Sequence, residues 1–326
     1  MNACFLGTKA GAPSPKGFTS GIGVILACAS WILIDCGEGI QMQIMKSNLK
    51  FCNLLSIYIT HLHGDHIYGL QGLLCTINKT RTEKLKIFGP RGLSRYIRSA
   101  LSCSFVNITN YEIEIIEVSN DTIIDEIKIN KEKFTITSYL VTHTVPCFAY
   151  SIKKHTRVSK INYKLLKPII DSHKEEILSL GYSHPNKIIE FIKQKNNVIF
   201  SDGIVINYSD YVLYSEEKTI VIVLDNNDCS NITLEKADVL IHESTFCHVP
   251  TDTNIDEIRR LAISRGHSTS HMAAEVACRL KCTSMFLTHF SPRYDIEIIG
   301  DDIISSAKRI FKGKVYCATD LSYFFL

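Results

Sequence analysis

The sequence predicts a single α/β domain in which two β-sheets pack face to face with helices outside. Strand-like runs recur along most of the chain, and helical patterns interleave with them towards both ends. Neither a long linker nor a low-complexity block divides the 326 residues. An apolar share of 45% supports a large core and excludes a disordered chain.

Period and composition place strands over 3–7, 22–28, 31–35, 54–60, 85–88, 134–141, 147–152, 220–224, 238–242, 284–289 and 314–317. Helices are predicted over 38–48, 66–77, 91–101, 269–281 and 298–311. The longest apolar run, "GVILACASWILID" (23–35), is too short to span a bilayer and is interrupted by Ser30, so it reads as two buried strands joined by a turn. No membrane span is expected. The start, "MNACFLGT", enters a strand-like segment without a basic region or a small-residue cleavage site, so a cytoplasmic protein is expected, with nuclear or organellar use left open. Twelve cysteines are scattered through apolar stretches (Cys4, Cys28, Cys75, Cys317) with no CxxC pair, which reads as small buried residues in a reducing compartment. Cys278 and Cys282 lie one helical turn apart, but no second pair accompanies them as a metal site would require.

A formal net charge of +3 does not by itself argue for a polyanionic partner. Its distribution is uneven: 153–195 holds ten Lys or Arg against four Asp or Glu. The segment 153–200 is polar, basic and helix-leaning between two strand regions, so it reads as an insertion projecting from the body. Charge alone fits a solvated Lys-rich surface equally well.

The chemistry concentrates in "YITHLHGDHIYG" (58–69). His61 and His63, two apart in extended chain, point to one side. Gly64 lets the backbone turn, and Asp65 and His66 then start a helix, so the four side chains face one cavity. Two metal ions ~3.5–4 Å apart need further ligands, including a bridging carboxylate. His143 in "LVTHTVP", Asp225 after "TIVIVL" and His289 in "MFLTHF" are each polar residues where an apolar strand stops, the placement of His61 itself. Asp228, three residues on in "LDNNDCS", is the alternative carboxylate, and Asp225 is preferred because it lies directly at the strand end.

These motifs resemble the metallo-β-lactamase superfamily and, within it, the short form of tRNase Z, the tRNA 3′-processing endonuclease. The resemblance rests on "FLGT", "PSP", "DCGEGIQMQIMKS" (35–47), "THLHGDHIYGLQGLL" (60–74), "HTVPCFAY" (143–150), "HEST" (242–245), "GHST" (266–269), "LTHFSPRY" (287–294) and "ATD" (318–320), nearly end to end. It implies an αββα sandwich with a protruding basic arm, and two zinc ions per subunit, with manganese or iron as alternatives. His61, His63 and His143 would hold one ion, Asp65, His66 and His289 the other, and Asp225 would bridge. It implies Asp65 as proton acceptor and His267, oriented by Glu243, as proton donor to the leaving oxygen. Ser268 and Arg293 would contact phosphate, although Ser268 or Thr269 also reads as a helix N-cap. Segment 153–200 becomes the arm that grips precursor tRNA, through sequence-tolerant backbone contacts. A homodimer and removal of the tRNA 3′ trailer, leaving a 3′-hydroxyl, follow from the same likeness. The competing expectations are a hydrolase of a small phosphodiester or other ester on the same fold, and a catalytically dead RNA-binding subunit.

Overall fold

The structure is a computed structural model that describes every residue except Asn120, Arg157, 250–253 and Leu326. Arg157, counted above among the basic residues, thus lies outside the described residues. The chain divides into two compact units, one comprising Met1–Lys153 with Lys218–Leu326 and the other Lys154–Glu217.

The described residues of the larger unit form two seven-stranded sheets. The first runs Tyr323–Phe325, Asn2–Gly7, Gly21–Ala27, Ser30–Ile34, Leu54–Tyr58, Leu85–Pro90, Ile113–Val118. The second runs Lys314–Cys317, Ser284–Thr288, Val239–Glu243, Lys218–Val223, Cys147–Lys154, Glu132–Val141, Thr122–Ile129. Alternation along each central strand explains the layers. Ile220 and Ile222 join Ile22, Tyr58, Phe88, Phe148 and Phe286 in the layer between the sheets. Val221 and Val223 point the other way and pack with Ala273, Ala277 and Ile303 of the helices Ser270–Arg279 and Ile296–Ala307. On the far side, Leu33, Ile57 and Ile59 pack beneath Ile40–Lys46, Leu70–Ile77 and Leu93–Cys103. Strands buried on both faces read as unbroken apolar runs, which is why they were legible, and each buried Ile, Leu or Phe contributes roughly 1.5–3 kcal/mol. The expected sandwich is the fold.

Three strands of this larger unit escape the sequence reading: Ile113–Val118, Thr122–Ile129 and Tyr323–Phe325. All are sheet edges, and the first two carry charges along half-exposed faces that dilute the apolar signal. The helix Ile255–Ser264 was also missed. The predicted helix 66–77 is two helices, Gly64–Ile67 and Leu70–Ile77. At the break, Gly69 N donates to Cys36 O at 2.9 Å, and a Cβ on Gly69 would stand 2.1 Å from Gly37 O.

The central strands of both sheets run parallel: Ser30–Ile34 with Leu54–Tyr58 and Leu85–Pro90, and Lys218–Val223 with Val239–Glu243, Ser284–Thr288 and Lys314–Cys317. Their carboxyl ends therefore line up, and Asp35, His61, Asp225, Glu243 and His289 all stand at or just beyond those ends.

The unit Lys154–Glu217 has its own core of Leu166, Ile170, Ile177, Ile188, Ile192 and Phe200. It corrects the helix-leaning reading of 153–200. Beside the helices Tyr163–Ser172, Lys174–Ser179 and Ile188–Lys193 it holds two strand pairs, Val158–Ile161 with Val212–Tyr214 and Val198–Ile199 with Val205–Ile206. Strands of two to four residues carry no readable period. The longer boundary also alters the charge: 154–217 holds nine Lys or Arg and eight Asp or Glu, because 202–217 adds acids.

Gly69→Ala forces the Gly37 loop and the histidine-bearing turn apart. The substitution is expected to lower the chemical-denaturation midpoint, costing about 1–3 kcal/mol as overpacking does, measured by urea unfolding of the full chain.

Candidate metal centre

Local folding explains how distant residues meet. His61 and His63 leave the end of Leu54–Tyr58, and His63 is the N-cap of the short helix that carries Asp65 and His66. His143 follows Glu132–Val141, and a short ladder holds it in place: Thr142 N donates to Asp228 O at 2.9 Å and Asn227 N to Thr142 O at 2.8 Å. That ladder ties the 142–143 turn to the loop that begins with Asp225. Asp35 (φ 57°) and His289 (φ 55°) adopt left-handed backbone at their strand ends. Non-glycine residues do so at a cost of roughly 1–2 kcal/mol, and such strain gathers at functional sites.

The seven candidate ligands converge. His61, His63, His143 and Asp225 form one group, and Asp65, His66 and His289 a second, each with its ligand atoms within 4.8 Å of one another. In the first, His63 Nδ1 lies 3.0 Å from His61 Nε2 and 3.3 Å from His143 Nε2. In the second, His66 Nε2 is 3.2 Å from His289 Nε2, and Asp65 Oδ2 is 3.4 Å from both. Asp225 divides its oxygens. Oδ2 lies 3.6 and 3.7 Å from His61 and His143, while Oδ1 lies 3.3 and 3.0 Å from His66 and His289.

Outer partners fix which nitrogen faces inward. Thr60 Oγ1 donates to Asp35 Oδ2 at 2.7 Å, so its lone pair takes His61 Nδ1–H at 3.0 Å. His66 Nδ1 donates to Asp35 Oδ2 at 2.6 Å and His143 Nδ1 to Gly266 O at 2.6 Å. His289 Nδ1 faces Thr245 Oγ1 at 2.9 Å, whose own hydrogen goes to Glu243 Oε2. Each of these four rings thus presents a bare Nε2 to the centre, as metal-ligating histidines do. Gly266 (φ 79°) is required here, because a Cβ would stand 2.9 Å from His143 Nδ1.

These donors fit divalent cations. Two ligands ~2.0–2.1 Å from one tetrahedral ion stand about 3.3 Å apart, close to the separations observed. Asp225 Oδ1 is buried without a hydrogen bond although two imidazole nitrogens lie near it. Asp35, Asp65, Asp225 and Glu243 are four carboxylates whose ion pairs, among the described residues, are all with histidine and none with Lys or Arg. Buried negative charge of this density calls for positive charge. Burial alone would raise Asp225, but His289, His66 and His61 outweigh it and hold the carboxyl well below its usual range. Asp65 behaves alike: burial opposes ionisation, and hydrogen bonding with His289 and His66 overrides it. Burial, then the neighbouring His66, keeps His61 well below its usual range and hence neutral, the form that ligates.

Beside the second group stands Glu243, fully buried, with His267 Nδ1 3.3 Å from its Oε2. Burial would lower His267, but the hydrogen bond and charge of Glu243 prevail and push it up to about 9. His267 retains some exposure, so its other nitrogen is available to a reactant. Arg293 lies exposed with its guanidinium 5.0 Å over the Phe246 ring, which is 6.5 Å from the His267 ring, while Nε donates to Ser291 Oγ at 2.9 Å. Ser268 departs from expectation. It is 1% exposed, and its hydroxyl donates to Asn226 O at 2.7 Å, so it faces inward and not towards a phosphate. Thr269, not Ser268, caps the following helix, accepting from Met272 N. Asp228 lies outside the cluster, its carboxylate accepting from Ser230 N and Oγ. Sequence reasoning missed Asp35, although it ends the strand "WILI" as Asp225 ends "TIVIVL". Thr245 and Gly266, acting through a hydroxyl and a carbonyl, gave no signal.

Residues 1–202 match the family model described as Anti-Pycsar protein Apyc1. Ribonuclease Z of Brevibacillus brevis is 33% identical over 320 residues, covering 95% of this chain and 92% of the relative. Ribonuclease BN of Proteus mirabilis is 35% identical over 300 residues, covering 90% of each. Among solved structures, human tRNase Z, short form, aligns with TM-score 0.61 at 26% identity over 100% of this chain and 99% of that one. The metallo-β-lactamase fold protein YhfI of Bacillus subtilis aligns with TM-score 0.62 at 18% identity, over 99% and 98%. With its histidine and aspartate cluster at the rim of two facing sheets, the chain belongs to the family of that model and, over nearly its whole length, to the ribonuclease Z family of metallo-β-lactamase-fold nucleases.

Proposed function

We propose that this chain is an endoribonuclease that removes the 3′ trailer from precursor tRNA, using two divalent cations held by His61, His63, His143, Asp225, Asp65, His66 and His289. The supporting observation is the division of Asp225, one oxygen towards each ligand group. Three imidazoles and a carboxylate suit zinc in the first group, and the more oxygen-rich second group also suits manganese or iron. When bound, such cations neutralise the phosphoryl oxygens and acidify water.

The remaining steps belong to the protein. Asp65, with Oδ2 also accepting from Gly11 N at 2.6 Å, is held at the mouth of the second group and takes the proton released by the attacking water. His267, its Nδ1 against Glu243, carries the other ring proton on Nε2 and gives it to the departing 3′ oxygen, so that the tRNA keeps a 3′-hydroxyl. Arg293 holds a phosphate of the substrate, with its guanidinium carbon 5.0 Å over the Phe246 ring. Ser268 serves the loop that carries His267. The unit Lys154–Glu217 is the tRNA-gripping arm, and a homodimer in which one subunit's arm serves the other's site belongs to the same proposal, supported by family membership. No described helix is long and apolar enough to cross a membrane.

A second reading, hydrolysis of a small phosphodiester or other ester, draws on the near charge balance of 154–217. Replacing 155–216 by a short Gly-Ser linker separates the two. Cleavage of precursor tRNA is expected to fall at least tenfold, roughly what loss of a few phosphate contacts costs, while bis-p-nitrophenyl phosphate is still hydrolysed. Unchanged tRNA cleavage would favour the small-ester reading.

Incubation with a 3′-extended precursor tRNA is expected to give cleavage near the acceptor end, abolished by a chelator and by Asp65→Ala. Cleavage that survives the chelator overturns the proposal. Asp35→Asn retains shape but removes the charge that His66 and Thr60 share. The variant is expected to lose metal affinity by roughly 10–100-fold, read by elemental analysis after dialysis against a graded chelator.

A further inference from the structure

Asn226 follows the dividing carboxylate and is assigned no role by the metal reading, yet all four of its polar atoms are engaged. It is 1% exposed. Its main-chain N donates to Glu243 Oε1 at 2.7 Å. Its Nδ2 donates to Leu224 O at 2.8 Å and lies 3.4 Å from His242 Nε2. Its carbonyl O accepts from Ser268 Oγ at 2.7 Å, and Oδ1 lies 3.3 Å from the same hydroxyl. The buried His242 puts its Nδ1–H on Glu243 O at 2.8 Å, which leaves Nε2 free to accept from Asn226.

We propose that Asn226 is a positioning residue for the proton donor, setting the Glu243–His267 pair in register with Asp225. One side chain spans both neighbours of the carboxylate. The Nδ2 bond to Leu224 O closes the chain around Asp225 and pins the Asn226 backbone, whose N and O hold Glu243 and Ser268. The Asn226 amide holds Glu243 Oε1, leaving Oε2 for His267 and Thr245. Ser268, bonded to Asn226, adjoins His267 in sequence. The carboxylate that divides the metal groups and the imidazole that protonates the leaving oxygen are therefore referenced to one residue. An alanine at 226 keeps the main-chain bonds to Glu243 and Ser268 but loses the Nδ2 bond to Leu224 O and the Oδ1 contact with Ser268 that pin that stretch of backbone, so the donor held by it drifts.

This inference rests on the reading of His267 as proton donor, and the experiment separates the two. Asn226→Ala and His267→Ala are compared on 3′-extended precursor tRNA and on bis-p-nitrophenyl phosphate, whose p-nitrophenolate departs without a proton. For Asn226→Ala, kcat on tRNA is expected to fall about 10–100-fold with KM little changed, part of the 10²–10⁴ that general acid catalysis supplies. The nitrophenyl diester should lose at most about threefold by the same reasoning. Metal content, by elemental analysis, should equal that of the unaltered protein. A parallel loss on both substrates, a drop in metal content or no change on tRNA overturns the proposal. If His267→Ala itself fails to discriminate between the leaving groups, the donor reading falls and the inference with it. If His267→Ala discriminates and Asn226→Ala does not, only the inference falls. Should Asn226→Ala not fold, Ser268→Ala removes the other half of the clamp and is held to the same pattern.

Discussion

The concentration of four carboxylates, three of them buried, whose ion pairs among the described residues are all with histidine, is the constraint on which the rest of the centre depends. Unpaired, such charges would not stay ionised out of water. Here the parallel strands bring Asp35, Asp225 and Glu243 to aligned carboxyl ends, and the turn after His63 adds Asp65. The apolar layers beneath make that convergence rigid: Tyr58, Ile222 and Phe286 are buried between the sheets a few residues before the charged rim. The left-handed backbone at Asp35 and His289 shows that the rim is held against local preference.

A second tier of hydrogen bonds turns a cluster of acids and imidazoles into a directed donor set. Thr60 and Thr245 perform the same operation on opposite sides of the centre. Each gives its one hydroxyl hydrogen to a buried carboxylate and offers a lone pair to a ligand ring, His61 in one case and His289 in the other. The proton on each outer nitrogen is thereby fixed, and the inner nitrogen is left bare. Glu243 links this tier to His267, because the carboxylate that orders Thr245, and through it His289, also faces that ring.

How much of this was legible depended on where the information resides. A polar residue at the end of an apolar strand identified His61, Asp225 and His289 without a fold in view, and His143 followed the same logic. The same logic applied to "WILID" would have found Asp35. The strand-end rule favours Asp225 over Asp228 but leaves Asp228 as an alternative. The ladder between Thr142 and 227–228 separates them physically, turning Asp228 to Ser230 and leaving Asp225 among the imidazoles. Glu243 and His267 emerged only through family resemblance, since one buried Glu or one loop His has no pattern of its own. Ser268 differs from its sequence reading because a hydroxyl beside a loop histidine looks identical in sequence whether it faces a ligand or the neighbouring loop. Three of the four edge strands of the two large sheets escaped because their apolar signal is diluted at a half solvent-facing edge, while the central strands, apolar on both faces, were found.

The charge of the smaller unit bears on how an RNA would be held. Across Lys154–Glu217 nearly equal numbers of acids and bases leave little net field, so distant steering of a polyanion by this unit is weak. The bases nevertheless precede residue 196 and half of the acids follow residue 201, so the chain is polar along its length even where its sum is small. Within a Debye length of about 8–10 Å at physiological salt it is the local arrangement, not the sum, that a phosphate backbone meets. If this unit holds RNA as proposed, a composition of this kind would act at short range once the substrate has arrived and add little to its rate of arrival. On the proposed function the decisive charge would be that of the cations that Asp225 and its imidazoles would hold, and not that of the surface.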